Sequence, residues 1–464
     1  MSRIRYALDG IVEVLSPLHV GTGEAEESDL VESGDRTANE SASVATIVRD
    51  GNGRPYLPAT TLKGLLRRLA EAGTPSAPGH SDGLSATDRL LGRIKSSDMS
   101  GQMGALLVRG ATFSEPGSCK DAPFVRDDGK SDPGIFIAAR TRIDPESGTA
   151  HDSALFHQEM VAIGTRFHWR AVMETRTVDA DLEELLVSIL VRFAEADGHS
   201  IGRGAADGAG RIRLVADRTS LTLSTLGETG DFVEDRNASS TLTVRLKEAL
   251  APPLRVAMTR NQMLRLRCRG PFVVIDSSRR SKKTSAANHG KEPQIRAQRI
   301  DGTPLISGAG VAGALRARAR WLEGLWRLRK GIVPVTVDEP ALVRRMSDVA
   351  TLDPVQRLFG VTGFRGLMRV MVTSVGADGI WDVTSVKLDR LSGGPIDNAL
   401  FTTQTFVNVG IEFALTLESR GEVVATAEDE ALFDALVADI KDNGLQLGHG
   451  ANKGFGWFAH EEAK

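Results

Sequence analysis

Cysteine is almost absent from this chain of 464 residues: Cys119 and Cys268 are the only two. Two thiols are too few for a zinc site built mainly from thiolates and give no disulfide framework, so both read as isolated and reduced. Long apolar runs are missing as well. Nothing approaches the roughly 18 to 20 consecutive apolar residues of a membrane-spanning helix. The opening MSRIRYALDG lacks the apolar stretch and small-residue cleavage site of a signal peptide. The expectation is a cytoplasmic protein without membrane contact. Net charge is also small, −3, which argues against a uniformly basic nucleic-acid binder. What is present, 41% hydrophobic and 25% charged residues, excludes wholesale disorder. The length suggests about three domains or two large ones.

The small net charge hides an asymmetry. Residues 255–330 hold 18 Lys or Arg against 4 Asp or Glu, so the remainder is acidic. Concentrated positive charge is how a protein makes a phosphate-tracking surface without being basic overall.

The sequence also repeats itself. Gly202-Arg-Gly204-Ala-Ala-Asp-Gly208-Ala-Gly210 and Gly448-His-Gly450-Ala-Asn-Lys-Gly454-Phe-Gly456 share the spacing G-x-G-x-x-x-G-x-G at an offset of 246. RIDPESGTAHDSALF (142–156) aligns without gaps to KLDRLSGGPIDNALF (387–401), and RPYLPATTLKGLLRRLAEAG (54–73) matches GTPLISGAGVAGALRARARWLEG (302–324) at an offset near 249. Segments in the same order make two homologous units, with boundaries at 1–217 and 254–464 and a Ser-, Thr- and Asp-rich linker over 218–253. Each unit opens on an alternating strand, Tyr6 to Leu15 or Met263 to Ile275. An amphipathic helix follows, Thr61 to Ala72 or Ala309 to Leu328. Then come further strands, a second helix, Ala180 to Ala196 or Glu428 to Lys441, the glycine loop and a last strand. That order predicts an α+β chain of two tandem ferredoxin-like, RRM-like domains with long loop insertions.

The glycine loops lie after a helix and before a strand, which excludes a dinucleotide-binding fold, and their spacing excludes a P-loop. Glycine permits positive φ and close backbone approach. Gly202, Gly204, Gly448 and Gly450, with Arg203 and Lys453 beside them, therefore read as phosphate-binding loops, against the plainer reading of helix-to-strand turns. The segment PATTLKGLLRRL puts Thr61 at a helix N-terminus, where free N–H groups attract an anion, with Lys63 and Arg67 in support. Further phosphate contacts are expected from His19, from Arg279, Arg280, Lys282 and Lys283 in the basic loop, and from Arg316 and Arg318 on the helix. Trp321 and Trp326, at helical spacing, read as core. The acidic loop from Glu24 to Glu40 matches no EF-hand spacing and reads as a solvated, disordered loop; no metal site is assigned.

Together, GRPYLPATTLKGLLR, the LLG before an apolar strand, RIDxxSGTAxxxALF and the closing GHGANKGFGWF resemble the RAMP superfamily of CRISPR effector proteins. The similarity is greatest to type III backbone subunits, here as a tandem fusion, and spans about residues 6–216 and 254–459. The resemblance implies RRM-like domains lined up along a CRISPR RNA, holding its phosphates and 2′-hydroxyls and presenting its bases to a target RNA. It also implies a hairpin thumb that displaces a base at each subunit junction. The partners implied are a large polymerase-like subunit, a small subunit and other RAMP subunits.

Departures from the family pattern bear on catalysis. The family helix starts Pro-Gly-Ser-Ser-Leu-Lys-Gly, whereas Ala59 stands for the glycine in unit one, and Ser307 and Ala312 for the proline and lysine in unit two. Target-cutting members carry an Asp about six residues before the Arg-Asp/Glu pair that precedes this helix; here that position is Val44 or Lys291. Carboxylates nearby are Asp35, Glu40, Asp276 and Glu292. Three classes of function stay open: an RNA-binding backbone subunit that needs no cofactor for binding, a stand-alone single-strand RNA binder, or an endoribonuclease. The last would cut target RNA with a loop carboxylate and Mg2+, or process the guide through a histidine.

Overall fold

The computed structural model describes residues 3–28, 42–73, 84–94, 101–119, 124–125, 131–141, 155–248, 258–276, 293, 295–333, 341–419 and 423–462. Unit one is built on β1 (Ile4–Val14), whose residues alternate strictly between core and surface, burying Ile4, Tyr6, Leu8, Val12 and Val14. After β2 (Gly21–Ser28) and β3 (Ala42–Ile47) comes α1 (Ala59–Gly73), which presents Leu62, Leu65, Leu66 and Leu69 to that sheet. Next follow α2 (Ala86–Leu91), β4 (Leu106–Val108), β5 (Ala111–Glu115), β6 (Ile135–Arg140), β7 (Phe156–Val161) and β8 (Arg166–Thr175). Helix α3 (Ala180–Phe193) is capped by Asp179, which accepts from Leu182 N, and leads through the glycine loop to β9 (Arg211–Leu214). The main sheet runs β9-β1-β8, with β4 and β5 on the far edge of β8. This is the 4-1-3-2 order of the ferredoxin-like fold. A second sheet, β6-β7-β3-β2, lies in the insertions.

Residues 218–253 hold more than a connection. β10 (Ser220–Leu226) pairs antiparallel with β1, and α4 (Arg236–Glu248) buries Leu242 and Leu246 in the core of unit one. The Ser and Thr content that suggested a linker serves this packing: Ser239 Oγ accepts from Leu223 N at 2.9 Å, and Thr243 Oγ1 from Leu221 N at 3.2 Å. Residues 24–28, placed by composition in a disordered loop, form the end of β2 paired with β3.

Unit two repeats the plan with its own core. Its elements are β11 (Met258–Cys268), α5 (Gly308–Arg329), α6 (Pro354–Phe359), β12 (Met368–Gly376), β13 (Gly379–Leu388) and β14 (Pro395–Val407). Then come β15 (Val409–Glu418), α7 (Ala427–Asn443), β16 (Leu445–Gln446) and β17 (Trp457–His460). The sheet runs β12-β15-β11-β17-β16, again ferredoxin-like, while β13 and β14 form a separate two-stranded ribbon. No described helix is long and apolar enough to cross a membrane.

The units meet head to tail. The glycine loop of unit one seats against the start of α5 and against β12. A Cβ on Gly308 would lie 1.7 Å from the Asp207 carbonyl oxygen, and one on Gly208 would lie 2.9 Å from that of Val370. Arg365 donates to Ala205 O at 2.7 Å, and Gln298 to Ile137 O at 3.2 Å. Gly308→Val is expected to cost about 1–3 kcal/mol at this junction. Calorimetry should then show a lowered or split unfolding transition, and an unshifted single transition would contradict the contact.

Candidate nucleic-acid interface

The two glycine loops share most of their backbone hydrogen bonds. In unit one Asp207 N and Ala209 N both donate to Gly204 O, Gly210 N donates to Pro17 O, and Arg203 N to His19 O. In unit two Lys453 N and Phe455 N donate to Gly450 O, Gly456 N to Pro271 O, and His449 N to Val273 O. Left-handed glycines close each short 3-10 turn, Gly204 and Gly208 at φ 79° and 73°, Gly450 and Gly454 at 89° and 79°. Their surroundings differ. The first loop is covered by unit two, where burial raises the Asp207 pKa against the pull of Arg140 and Arg365. The second loop exposes Ala451, Asn452, Lys453 and Gly454.

The outer glycines serve the turn itself. A Cβ at Gly202 would sit 2.2 Å from His19 O, and one at Gly448 2.6 Å from Val273 O. His19, expected at RNA, is 4% exposed and donates from Nδ1 to Glu159 O at 2.8 Å. Burial, with Arg203 and Arg140 close by, holds its pKa below the usual histidine value. Its ring is therefore part of the core, and its carbonyl anchors the glycine loop.

The helix arginines are also engaged within the fold. Arg67 reaches Asp88 at 3.3 Å and the Gly92 carbonyl, tying α1 to α2. Arg316 donates to Gly360 O at 3.1 Å, and Arg320 to Asp353 at 3.0 Å. Arg318 grips Asp439 of α7 with two bonds, 2.5 and 2.6 Å, and lies 4.0 Å over Trp321, which is half exposed rather than core. Arg318 and Arg320 thus meet carboxylates on neighbouring elements, a pairing that composition along one segment does not reveal. Thr61 and Lys63 stand half-buried at the start of α1. Arg279, Arg280, Lys282, Lys283, Asp35, Glu40, Glu292 and Lys291 lie outside the described residues. Asp276 follows Ile275 with its N–H donating to Arg296 O at 2.9 Å. Val44 is buried in β3, paired with Glu26 and His157.

Arg318 holds the Asp439 carboxyl below the usual carboxylate range. The pair therefore contributes stability above the unfolded carboxyl pKa of about 4, and loses it as pH falls through the lower folded value. Arg318→Ala is expected to cost about 1–3 kcal/mol near pH 7, discounted for the partly exposed guanidinium. The stability difference from the parent should shrink in acid, as pH-dependent urea unfolding would show.

A repeated constellation combines the two motifs. The phenylalanine ending each Ala-Leu-Phe segment sits under a cation of the glycine loop: Arg203 lies 5.5 Å from the Phe156 ring, and Lys453 lies 4.6 Å from the Phe401 ring. In unit two this pair opens a cleft of about 420 Å³ between ribbon and loop, lined by Val383, Ser385, Val386, Lys387, Phe401, Lys453 and Phe455. Ammonium groups beside aromatic and aliphatic walls suit a nucleotide, with phosphate on the lysines and base on the apolar side. The ribbon is exposed on both sides of the cleft: Trp381, near its base, is 60% exposed, and Leu391, at the tip, 98%. Its turn is held by Asp389, whose carboxylate accepts from Leu391 N and Ser392 N at 3.0 and 2.8 Å. Apart from the repeated Phe, these ribbon residues do not stand out in the sequence. Their signal was apolar residues on both faces of a hairpin segment with no sheet to pack against.

No curated protein matches the chain. The RAMP superfamily matches over residues 11–213 and again over 249–459. With a ferredoxin-like unit in each matched region, the chain belongs to the RAMP superfamily.

Proposed function

We propose that this protein is a CRISPR RNA-binding backbone subunit of a type III effector ribonucleoprotein, holding the guide and presenting it to target RNA in antiviral defence. RAMP membership supports a CRISPR-associated, RNA-binding role. The observation that carries the reading further is the cation-over-phenylalanine pair occurring in both units, opened in unit two into a cleft beside an apolar ribbon. A cation beside the homologous phenylalanine of each unit, though from different positions of the two loops, suits a continuous strand rather than a single small ligand. Ammonium and ring faces read phosphate and base planes without reading sequence, as an interchangeable guide requires. The ribbon tip, with Leu391 bare, would serve as the thumb that displaces a base. Other RAMP subunits, a large polymerase-like subunit and a small subunit would complete the particle in the cytoplasm.

The test is purification from cells expressing the whole CRISPR locus, followed by RNA sequencing and binding with exchanged spacers. Guide RNA should copurify, with affinity indifferent to spacer sequence; strong dependence on spacer would contradict backbone recognition. Asp276→Ala should leave target cutting by the complex unchanged with Mg2+ present. A cut abolished by this change, with RNA binding retained, would make the subunit a nuclease.

A further inference from the structure

Arg192 lies in the last turn of α3 with 0% of its surface exposed, and no acceptor among the described residues bonds its Nε, Nη1 or Nη2. A guanidinium cannot shed its proton inside a protein, so burial without an opposing charge is strongly unfavourable. Other cations gather around the same point. His199 donates from Nε2 to Arg192 O at 2.7 Å, and Arg68 of α1 donates to Ser200 O, also at 2.7 Å. Burial, followed by the charges of Arg68, Arg369 and Arg192, holds the His199 pKa below the usual histidine value, which sets three guanidinium groups about one ring. Two carboxylates stand close, Glu195 at 3.6 Å from His199 Nε2 and Glu418 at 3.6 Å from Arg369 Nη1, and neither bonds Arg192.

One of these cations comes from the other unit. Arg369 belongs to β12 and meets unit one at Arg211: Arg211 Nη1 lies 2.9 Å and Arg369 Nη2 3.9 Å from the same Met371 Sδ, and the Nε of each is buried without an acceptor. A thioether is a weak acceptor and carries no charge to set against two guanidinium groups. We propose that this end of the unit junction is a binding site for a phosphate-class oxyanion, held by Arg192 and drawn in by Arg68, His199 and Arg369. Charge-assisted hydrogen bonds from several guanidinium groups suit a tetrahedral dianion. With Arg369 on unit two and the other groups on unit one, the bound anion would fasten the units together. Free phosphate and the terminal phosphate of an RNA share this chemistry; the complete burial of Arg192 favours the free ion, which brings no strand with it.

The inference is independent of the RNA reading, since its main test contains no RNA. The Kd for inorganic phosphate is measured by isothermal titration calorimetry on nuclease-treated full-length protein. Thermal unfolding then compares phosphate at about 100 times Kd with chloride of equal ionic strength. Binding to the native state alone should raise Tm by about 5–10 °C for a unit of this size. Arg192→Met, unbranched and uncharged, should fold in chloride and lose the phosphate response. Arg369→Gln, which leaves the core of unit one intact, should raise the phosphate Kd about tenfold, as expected for one lost charge-assisted hydrogen bond. A parent Tm equal in the two salts would leave water as the partner of Arg192 and overturn the inference. A phosphate shift kept by Arg192→Met, an unchanged Kd in Arg369→Gln, or a shift given by a 5′-phosphorylated oligonucleotide and not by free phosphate would also overturn it.

Discussion

Replacing Lys387 and Lys453 together by alanine is expected to lower guide-RNA affinity about 30- to 100-fold, because two charge-assisted hydrogen bonds to phosphate disappear. Both ammonium groups line the cleft beside Phe401 and Phe455, and both are exposed, so their removal leaves no buried partner unpaired. The effect should carry an electrostatic signature. For a single strand, two phosphates no longer neutralised reduce the slope of log K against log salt by about 1.4. Fluorescence anisotropy with labelled guide across a salt series measures both quantities. The triple variant of Arg316, Arg318 and Arg320 is the control, since those arginines are held by Gly360, Asp439 and Asp353. It should lose stability while keeping the salt slope. The opposite pattern would move the RNA track from the cleft to α5.

The second large effect is on folding and separates the glycines by their surroundings. Gly448→Ala would place a Cβ 2.6 Å from both Phe272 Cε2 and Val273 O, at a φ of 79°. Left-handed strain of about 1–2 kcal/mol adds to overpacking of about 1–3 kcal/mol. Together, about 3 kcal/mol should lower Tm by about 6–12 °C for a unit of this size. Gly454 has the same φ of 79° but nothing within 4 Å of an added Cβ. Asparagine tolerates that conformation, so Gly454→Asn should stay within about 1 kcal/mol of the parent. Thermal unfolding of the two variants side by side decides the matter. Equal destabilisation would show that conformation alone, rather than close packing, governs the loop.

The architecture was legible because the same elements recur. Alternation in β1, the leucines at 62, 65, 66 and 69, and the two glycine loops all follow from local periodicity and spacing. The candidate site was legible only in part. Lys453 and Arg203 were found through their glycine neighbours, but their aromatic partners lie 52 and 47 residues away in sequence. Charge counted along a segment does not reveal that Arg318 and Arg320 of α5 have carboxylate partners elsewhere in the chain, because Asp439 lies on α7 and Asp353 caps α6. Composition likewise hid the strand and helix within 218–253, where serine and threonine hydroxyls pair with backbone groups instead of water. The covering of the first glycine loop depends on how one unit packs on another, which no local pattern encodes.

The most direct measurement of where RNA lies is photo-crosslinking of 4-thiouridine-labelled guide in the assembled complex, read by mass spectrometry of the crosslinked peptides. If the cleft and ribbon hold the guide, crosslinks should concentrate on Phe401, Trp381 and the segment around Lys453, with a second set near Phe156 and Arg203. Crosslinks confined to α5 around Arg316 and Arg320, with none on the ribbon or the second glycine loop, would contradict it.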